Sequence, residues 1–377
     1  MTMSHKREFT LGIYGDGQLA SLIALSAIKS NLSVIIYSLD KEISPCKNIA
    51  PLNLGKSWHD EKSFFEFCDL CETVVLENEF VPFELVLLAE KNGTRFFPNA
   101  ESYAKVSHKL KQVELSEHLG IKIPDYKVIS KASDLENISL PVMLKSLTGG
   151  YDGYGNFAFT DLLQMDEAKF FIDKVGTALA QDFLLFEKEV AVIVVSDGKS
   201  FFTFPVVETI QDKSICHFVL TPPRFSNELQ EKIKNQAIQL IKAISGIGVF
   251  GVEFFKMGEE MIFNEIAPRT HNSGHYTIEA CDYSQFDGLI KLILNQPLSP
   301  PQLKTEAAGM LNLLGTQNGK ANFQGNMAFH NNPQGFLHLY GKEDSRIGRK
   351  MGHFTLLGHN QDELFKELSI LKSQYQL

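Results

Sequence analysis

Basic side chains are the minority in this chain of 377 residues: 36 lysines and arginines stand against 45 aspartates and glutamates, a net charge of −9. Binding a phosphate backbone needs basic surface, so nucleic acid is excluded as the main partner. A small anion needs only a local positive pocket and is not excluded. Apolar runs of bilayer-spanning length are missing, and Met1-Thr2-Met3-Ser4-His5-Lys6-Arg7-Glu8 leads into a strand without a signal-peptide core. No membrane partner is therefore expected. Cysteine is scarce, with five in all, and only Cys68 and Cys71 form a C-x-x-C pair, in a helical-looking segment. Without a second pair, zinc and redox roles are not expected, and unpaired thiols fit a reducing cytoplasm. Repeats and low-complexity tracts are absent as well. What is present is an ordinary globular composition, 44% hydrophobic and 21% charged, with length for two or three domains.

The densest chemistry lies in Asn264-Glu265-Ile266-Ala267-Pro268-Arg269-Thr270-His271-Asn272-Ser273-Gly274-His275. Such a loop can hold a metal through Glu265 and an anion through Arg269, His271 and the Ser273-Gly274 backbone. Upstream, Val249 to Phe255 reads as a strand carrying Glu253, Lys256 to Glu260 as a hairpin turn, and Met261-Ile262-Phe263 as the returning strand. Glu253 and Glu265 are then neighbours on antiparallel strands, a placement that suits Mg²⁺. Two acids facing solvent is the blander reading, which the adjoining Arg/His/Asn/Ser cluster disfavours.

The amino-terminal part reads as β-α-β: strand Phe9–Tyr14, the turn Gly15-Asp16-Gly17-Gln18-Leu19-Ala20, helix 21–29 and strand 32–37. Its glycines permit a tight turn with helix-start amides near an anion. With Asp40, the turn also matches the dinucleotide fingerprint, and a phosphate-binding turn without a dinucleotide fits equally well. Thr73-Val74-Val75-Leu76 is a later strand ending at Glu77 and Glu79, on the edge where parallel sheets bind ligands. From Glu101 a lysine-rich helix is expected to run to Gly120. Strand 140–145 then leads into Thr148-Gly149-Gly150-Tyr151-Asp152-Gly153-Tyr154-Gly155. Four glycines in such a loop suit wrapping of phosphates by backbone donors. A plain hairpin connection is the alternative, and Lys145 just before the loop favours phosphate. Strands from Phe183, a helix over 227–245 and the linker Pro297-Leu298-Ser299-Pro300-Pro301 complete the outline.

In this order the motifs resemble the ATP-grasp superfamily and, within it, the bacterial and fungal N5-carboxyaminoimidazole ribonucleotide synthetases of purine biosynthesis. The resemblance spans nearly the whole chain. It is carried by NEIAPRTHNSGH, GGYDGYG, GDGQLA, GRKMGH and Cys281-Asp282-Tyr283-Ser284-Gln285-Phe286. It implies an α/β fold with a Rossmann-like domain over residues 1–100, an ATP-grasp domain over 101–298 and a small β-rich domain over 299–377. It also implies a cytoplasmic, homodimeric ligase that carboxylates aminoimidazole ribonucleotide with bicarbonate and ATP, through carboxyphosphate. By the same resemblance, Glu253 and Glu265 match Mg²⁺ ligands. Lys109, Lys145, Gly149, Gly150, Gly153, Glu187, Glu189 and Asn264 match ATP contacts. Arg269, His271, Asn272 and Ser273 match the bicarbonate and carboxyphosphate pocket. Gly17, Gln18, Glu77, Glu79, Tyr151, Asp152, Lys342 and Arg349 match contacts to the ribonucleotide, the last two suited to its phosphate. Two other readings are a relative that binds ribonucleotide without turning over ATP, and another ATP-grasp carboxylate–amine ligase.

Departures from the family pattern accompany this match. His108-Lys109 stands where Asp-Arg is usual, which keeps the charge and loses the bidentate fork. Val113 stands where lysine is common, and Ala20-Ser21 replace a Gly-Arg. In Leu184-Leu185-Phe186-Glu187-Lys188-Glu189 only Lys188 separates the two acids, so a shortened adenine hinge is expected.

Overall fold

A computed structural model describes residues 7–149, 155–212, 214–325 and 327–377. The first unit is a five-stranded parallel sheet. Phe9–Tyr14 lies at its centre, between Val34–Ser38 and Cys71–Leu76, with Leu52–Leu54 and Arg95–Phe97 at the edges. The chain leaves the central strand first to one side and then to the other, so a crevice opens at the strand ends beside Phe9–Tyr14. Gly15 to Gly17 and Glu77 sit at those ends.

The expected long helix is two helices, Ala100–Val106 and Lys109–His118. The break falls at Ser107-His108 because the Lys109 amide donates to Leu147 O at 2.8 Å, outside any helix. It ties the start of the second helix to the glycine-loop segment. Next comes a four-stranded antiparallel sheet in the order Tyr126–Ile129, Ala178–Asp182, Val142–Ser146 and Asn156–Phe159.

The central antiparallel sheet is covered on both faces, as its strand Lys188–Asp197 shows by alternation. Val190, Val192 and Val194 pack under the helix Asn227–Ala243, which presents Leu229, Ile233, Ala237, Leu240 and Ile241 at helical spacing. Ala191, Ile193 and Val195 pack with Phe286, Leu289 and Ile290 of the helix Gln285–Ile293. That second helix also meets the first unit, where Ser26 Oγ donates to Asp287 Oδ1 at 2.8 Å.

Of the carboxy-terminal strands, the short pairs Gly319–Lys320 with Asp344–Ser345 and Gln324–Gly325 with Tyr375–Gln376 stand apart, while the longer ones join the central sheet. Ala307–Leu314 pairs with Ile215–Thr221, then Lys350–Gly358 and Gly335–Leu339 extend the same sheet. The proline-rich segment before them is fastened by Asp282, whose amide donates to Gln302 O at 3.0 Å and whose Oδ1 accepts from Gln302 N at 2.9 Å.

Candidate functional site

Glu253 on the strand Ile247–Met257 and Glu265 on Glu260–Ala267 are direct cross-strand partners. A bulge follows at once, because Phe254 pairs with Phe263 and leaves Asn264 as an extra residue. Phe263 and Ile266 lie in the core, so the bulge lets the two consecutive residues between them both face the cleft. Asn264 then links acid to base: its Nδ2 donates to Glu253 Oε2 at 3.1 Å and its Oδ1 accepts from Lys145 Nζ at 2.8 Å. Lys109 Nζ forms an ion pair with Glu265 Oε2.

Charge is unevenly shared on this shelf. Burial and then the charge of Glu265 raise the Glu253 carboxyl. Burial would raise Glu265 too, but Lys109 and then Lys145 outweigh it and hold the group ionised. Burial and the neighbouring Lys109 push Lys145 down to about 8. Glu189 lies on the same sheet face, since its neighbour Ala191 is the register partner of Glu253 on the adjacent strand and Glu189 pairs with Phe255. Burial and the charge of Glu253 raise it to about 8, and it accepts a hydrogen bond from Gln211.

The loop after Glu265 runs over the shelf. His271 Nε2 lies 3.5 Å from Glu253 Oε1, and its Nδ1 lies 2.9 Å from Ser273 Oγ. Gly251 makes this approach possible, because a Cβ there would stand 2.7 Å from His271 Cβ. Arg269 Nε lies 3.3 Å from Glu79 Oε1, joining the loop to the first unit. The Asn272 amide is directed inward: it donates to Asn312 Oδ1 at 2.9 Å and accepts from Asn312 Nδ2 at 2.8 Å.

Glu77 fills the turn that was open to a dinucleotide reading. A Cβ on Gly17 would fall 2.6 Å from Glu77 Oε1, and the Ala20 amide at the helix start draws the Glu77 carboxyl down. A carboxylate in that position repels a pyrophosphate, so the fingerprint does not act as one here. Burial raises Glu77 to about 7 against the pull of Arg269. Lys342 Nζ donates to Gln18 Oε1 at 2.9 Å, so the first and third units meet beside this turn. Arg349 lines a cavity of about 460 Å³ with Arg346, Asp344 and Ile43, and Lys342 Nζ also donates to the carbonyl of the neighbouring Lys350 at 2.7 Å.

Gly149 lies beside Lys109 and Glu265 in one cleft, whereas Gly150, Tyr151, Asp152 and Gly153 fall outside the described residues. The expected hinge differs from its sequence reading. The connector runs over 183–187, between the strands Ala178–Asp182 and Lys188–Asp197, and Glu187 is its last residue. The Glu187 carboxylate accepts from Lys256 Nζ at 2.6 Å and Gly258 N at 2.8 Å. Lys256 alternates with Phe255 on its strand, so Glu187 reaches the sheet face opposite Glu189.

Three side chains at the site carried no role in the sequence reading. Gln285 brackets the His271 backbone, Asn312 holds Asn272, and Gln181 lies on the face of Lys145. Met143 pairs with Gln181 and Lys145 with Leu179, and both amide atoms of Gln181 are buried without a partner. A single asparagine in the otherwise apolar run Ala307–Leu314 was the available signal for Asn312.

Comparison with known proteins accounts for this arrangement. Residues 9–106 match the ribonucleotide synthetase preATP-grasp domain, 114–286 the ATP-grasp domain and 308–367 the phosphoribosylaminoimidazole carboxylase C-terminal domain. The N5-carboxyaminoimidazole ribonucleotide synthase of Synechococcus elongatus is 34% identical over 92% of this chain and 89% of its own length. The carboxyaminoimidazole ribonucleotide synthase of Aspergillus clavatus, solved with ATP, superimposes with a TM-score of 0.86 at 30% identity, covering 97% of this chain and 98% of that one. The Aspergillus clavatus enzyme with ADP and 5-aminoimidazole ribonucleotide gives 0.84 at 29% identity, with coverage of 97% and 98%. On these matches the chain belongs to the N5-carboxyaminoimidazole ribonucleotide synthase family of ATP-grasp ligases.

Proposed function

We propose that this chain uses ATP to join bicarbonate to the amine of 5-aminoimidazole ribonucleotide, a step of purine biosynthesis, releasing ADP and phosphate. One observation carries the reading: the Lys109, Lys145, Glu253 and Glu265 shelf and the Arg269–Ser273 anion loop adjoin, joined through His271 and Glu253. Phosphoryl transfer and the capture of a small anion therefore share one cleft. A bicarbonate oxygen attacks the γ-phosphorus and ADP leaves, forming carboxyphosphate. The substrate amine then takes the carboxyl carbon and phosphate leaves.

In this reading Lys109 and Lys145 hold ATP phosphates, and Arg269, His271 and Ser273 hold the carboxyphosphate and keep water from it. Asn272 shapes the loop. Gln18, Glu77, Glu79 and Lys342 border the ribonucleotide site. Glu253, Glu265 and Asn264 form an all-oxygen set on one face, and Glu253 is raised by burial and then by the charge of Glu265. This set fits Mg²⁺, which when bound would offset charge on the ATP phosphates during transfer. A cytoplasmic homodimer without nucleic-acid or membrane partners belongs to the same reading. The net charge of −9 speaks against a nucleic-acid partner and the free cysteines fit a reducing cytoplasm; no helix among the described residues is long and apolar enough to cross a membrane. Sedimentation checks the dimer. The function is tested by ADP release from purified protein, expected only with aminoimidazole ribonucleotide and bicarbonate together. ATP hydrolysis indifferent to both overturns it.

A further inference from the structure

Unpartnered buried polar atoms gather at a second place, behind the anion loop. His338 and His353 are register partners on the strands Gly335–Leu339 and Lys350–Gly358, and their rings stack with centroids 4.5 Å apart. Glu279 approaches from the short helix Thr277–Ala280, where its Oε1 lies 2.7 Å from His338 Nε2. Its Oε2 has no partner. His353 is wholly buried; its Nδ1 meets the Tyr340 hydroxyl at 2.9 Å, while its Nε2 has no partner. His275, also wholly buried and 5.1 Å from His353 between ring centroids, likewise has an unpartnered Nε2.

We propose that Glu279, His338 and His353 form a binding site for a divalent transition-metal ion, with Zn²⁺ as the best-fitting ion. Two imidazoles and a carboxylate are a recognised zinc donor set, and a fourth position remains for water or for His275. The three donor atoms lie within 4.8 Å of one another. Two donors each about 2.1 Å from zinc stand at most about 4.2 Å apart, so closure needs movements of less than about 1 Å. Tyr340 fits the part of an outer partner: with His353 Nδ1 donating to its hydroxyl, Nε2 presents its lone pair. The ion reaches the site past His338, whose side chain is 29% exposed. Zinc here would clamp the carboxy-terminal strands to the helix that directly follows the anion loop.

The test uses full-length protein without a histidine tag. Titration with Co²⁺ is expected to give a saturable visible ligand-field absorption at one ion per chain, displaced by Zn²⁺. X-ray absorption at the zinc edge should count two or three imidazole nitrogens in the unmodified protein, a readout that needs no variant to fold. Glu279→Gln and His338→Gln should each weaken zinc binding roughly tenfold or more. Zinc affinity unchanged by both substitutions, no saturable cobalt absorption, or an edge spectrum without imidazole overturns the proposal.

Discussion

Gln285 grips the backbone of His271 from both sides: Oε1 accepts from its amide at 2.9 Å and Nε2 donates to its carbonyl at 2.7 Å. The side chain is wholly buried. Gly274 leaves room for it, because a Cβ there would come 2.7 Å from the Gln285 amide group. The anion loop is thus shaped from the first residue of the helix Gln285–Ile293. Gln285→Ala should cost about 2–3 kcal/mol of stability, since buried backbone groups lose their partners. Turnover should fall while nucleotide affinity holds. Urea denaturation and paired measurements of kcat and nucleotide Kd check this; a collapse of nucleotide affinity instead would detach Gln285 from the loop's role.

Glu265→Gln is expected to abolish ATP turnover and leave the fold intact. The substitution keeps the shape but removes the charge that faces Lys109 and supplies a metal oxygen. ATP hydrolysis at varied Mg²⁺, beside a circular-dichroism melt, tests it. Near-normal hydrolysis would refute the metal assignment.

Replacing Arg269 or His271 with alanine should reduce bicarbonate-dependent turnover by roughly 10²-fold or more, the order seen on losing one oxyanion donor. ATP affinity should change far less, because Arg269 is paired with Glu79 of the first unit and His271 with Ser273 within the loop. Calorimetry of ATP binding separates the outcomes. Lost affinity with retained turnover would move both residues to the nucleotide site.

Glu253 and Glu265 were legible in the sequence because a hairpin turn lies between two short apolar runs, and their register follows from it. Asn264 was legible only as a member of a motif; the bulge that turns it to the cleft comes from pairing geometry that no local pattern encodes. The helix break at Ser107-His108 depends on a hydrogen bond to Leu147, distant in sequence. The pairing of Ile215–Thr221 with Ala307–Leu314 likewise joins remote segments, so the continuity of the central sheet was not visible. Glu187 and Glu189 looked like one acidic pair because spacing alone does not show that Glu187 precedes the strand and turns to Lys256.

Glu77 and Glu189 are raised to about 7 and about 8 respectively, each chiefly by burial. Glu253 is raised for the same reason. A raised carboxyl keeps protons in the folded chain that the unfolded chain has released above about pH 4.3. Stability from these groups is therefore lost as pH rises through their folded values. The ligand-free protein should melt at lower temperature at about pH 8 than at about pH 6, and Glu189→Gln should shrink the difference. Above about 8 the lowered Lys145 acts in the opposite sense and flattens the trend. Melting curves across this range decide it; a rise in stability from pH 6 to 8 would contradict the assignment of buried, proton-holding acids.

Gln181 is the residue on which nucleotide selectivity is expected to turn. Its buried amide lies on the Lys145 face, at the end of the strand that enters the 183–187 connector, and neither its oxygen nor its nitrogen has a partner. Glu187, by contrast, is tied to Lys256 and Gly258. If the base of ATP lies along this strand end, Gln181→Leu should weaken nucleotide binding about 2- to 10-fold, the range of one net hydrogen bond. Glu187→Ala should have a smaller effect. An amide can turn either its donor or its acceptor to a base edge, so a site that relies on it rejects the wrong edge poorly. Weak discrimination between ATP and GTP is therefore expected, with phosphate and metal contacts carrying most of the affinity. Removing Mg²⁺ should then abolish most binding of both nucleotides. Competition binding with each, with and without chelator, tests the whole chain of inference. Strong ATP preference that survives both chelation and Gln181→Leu would place base recognition on other residues.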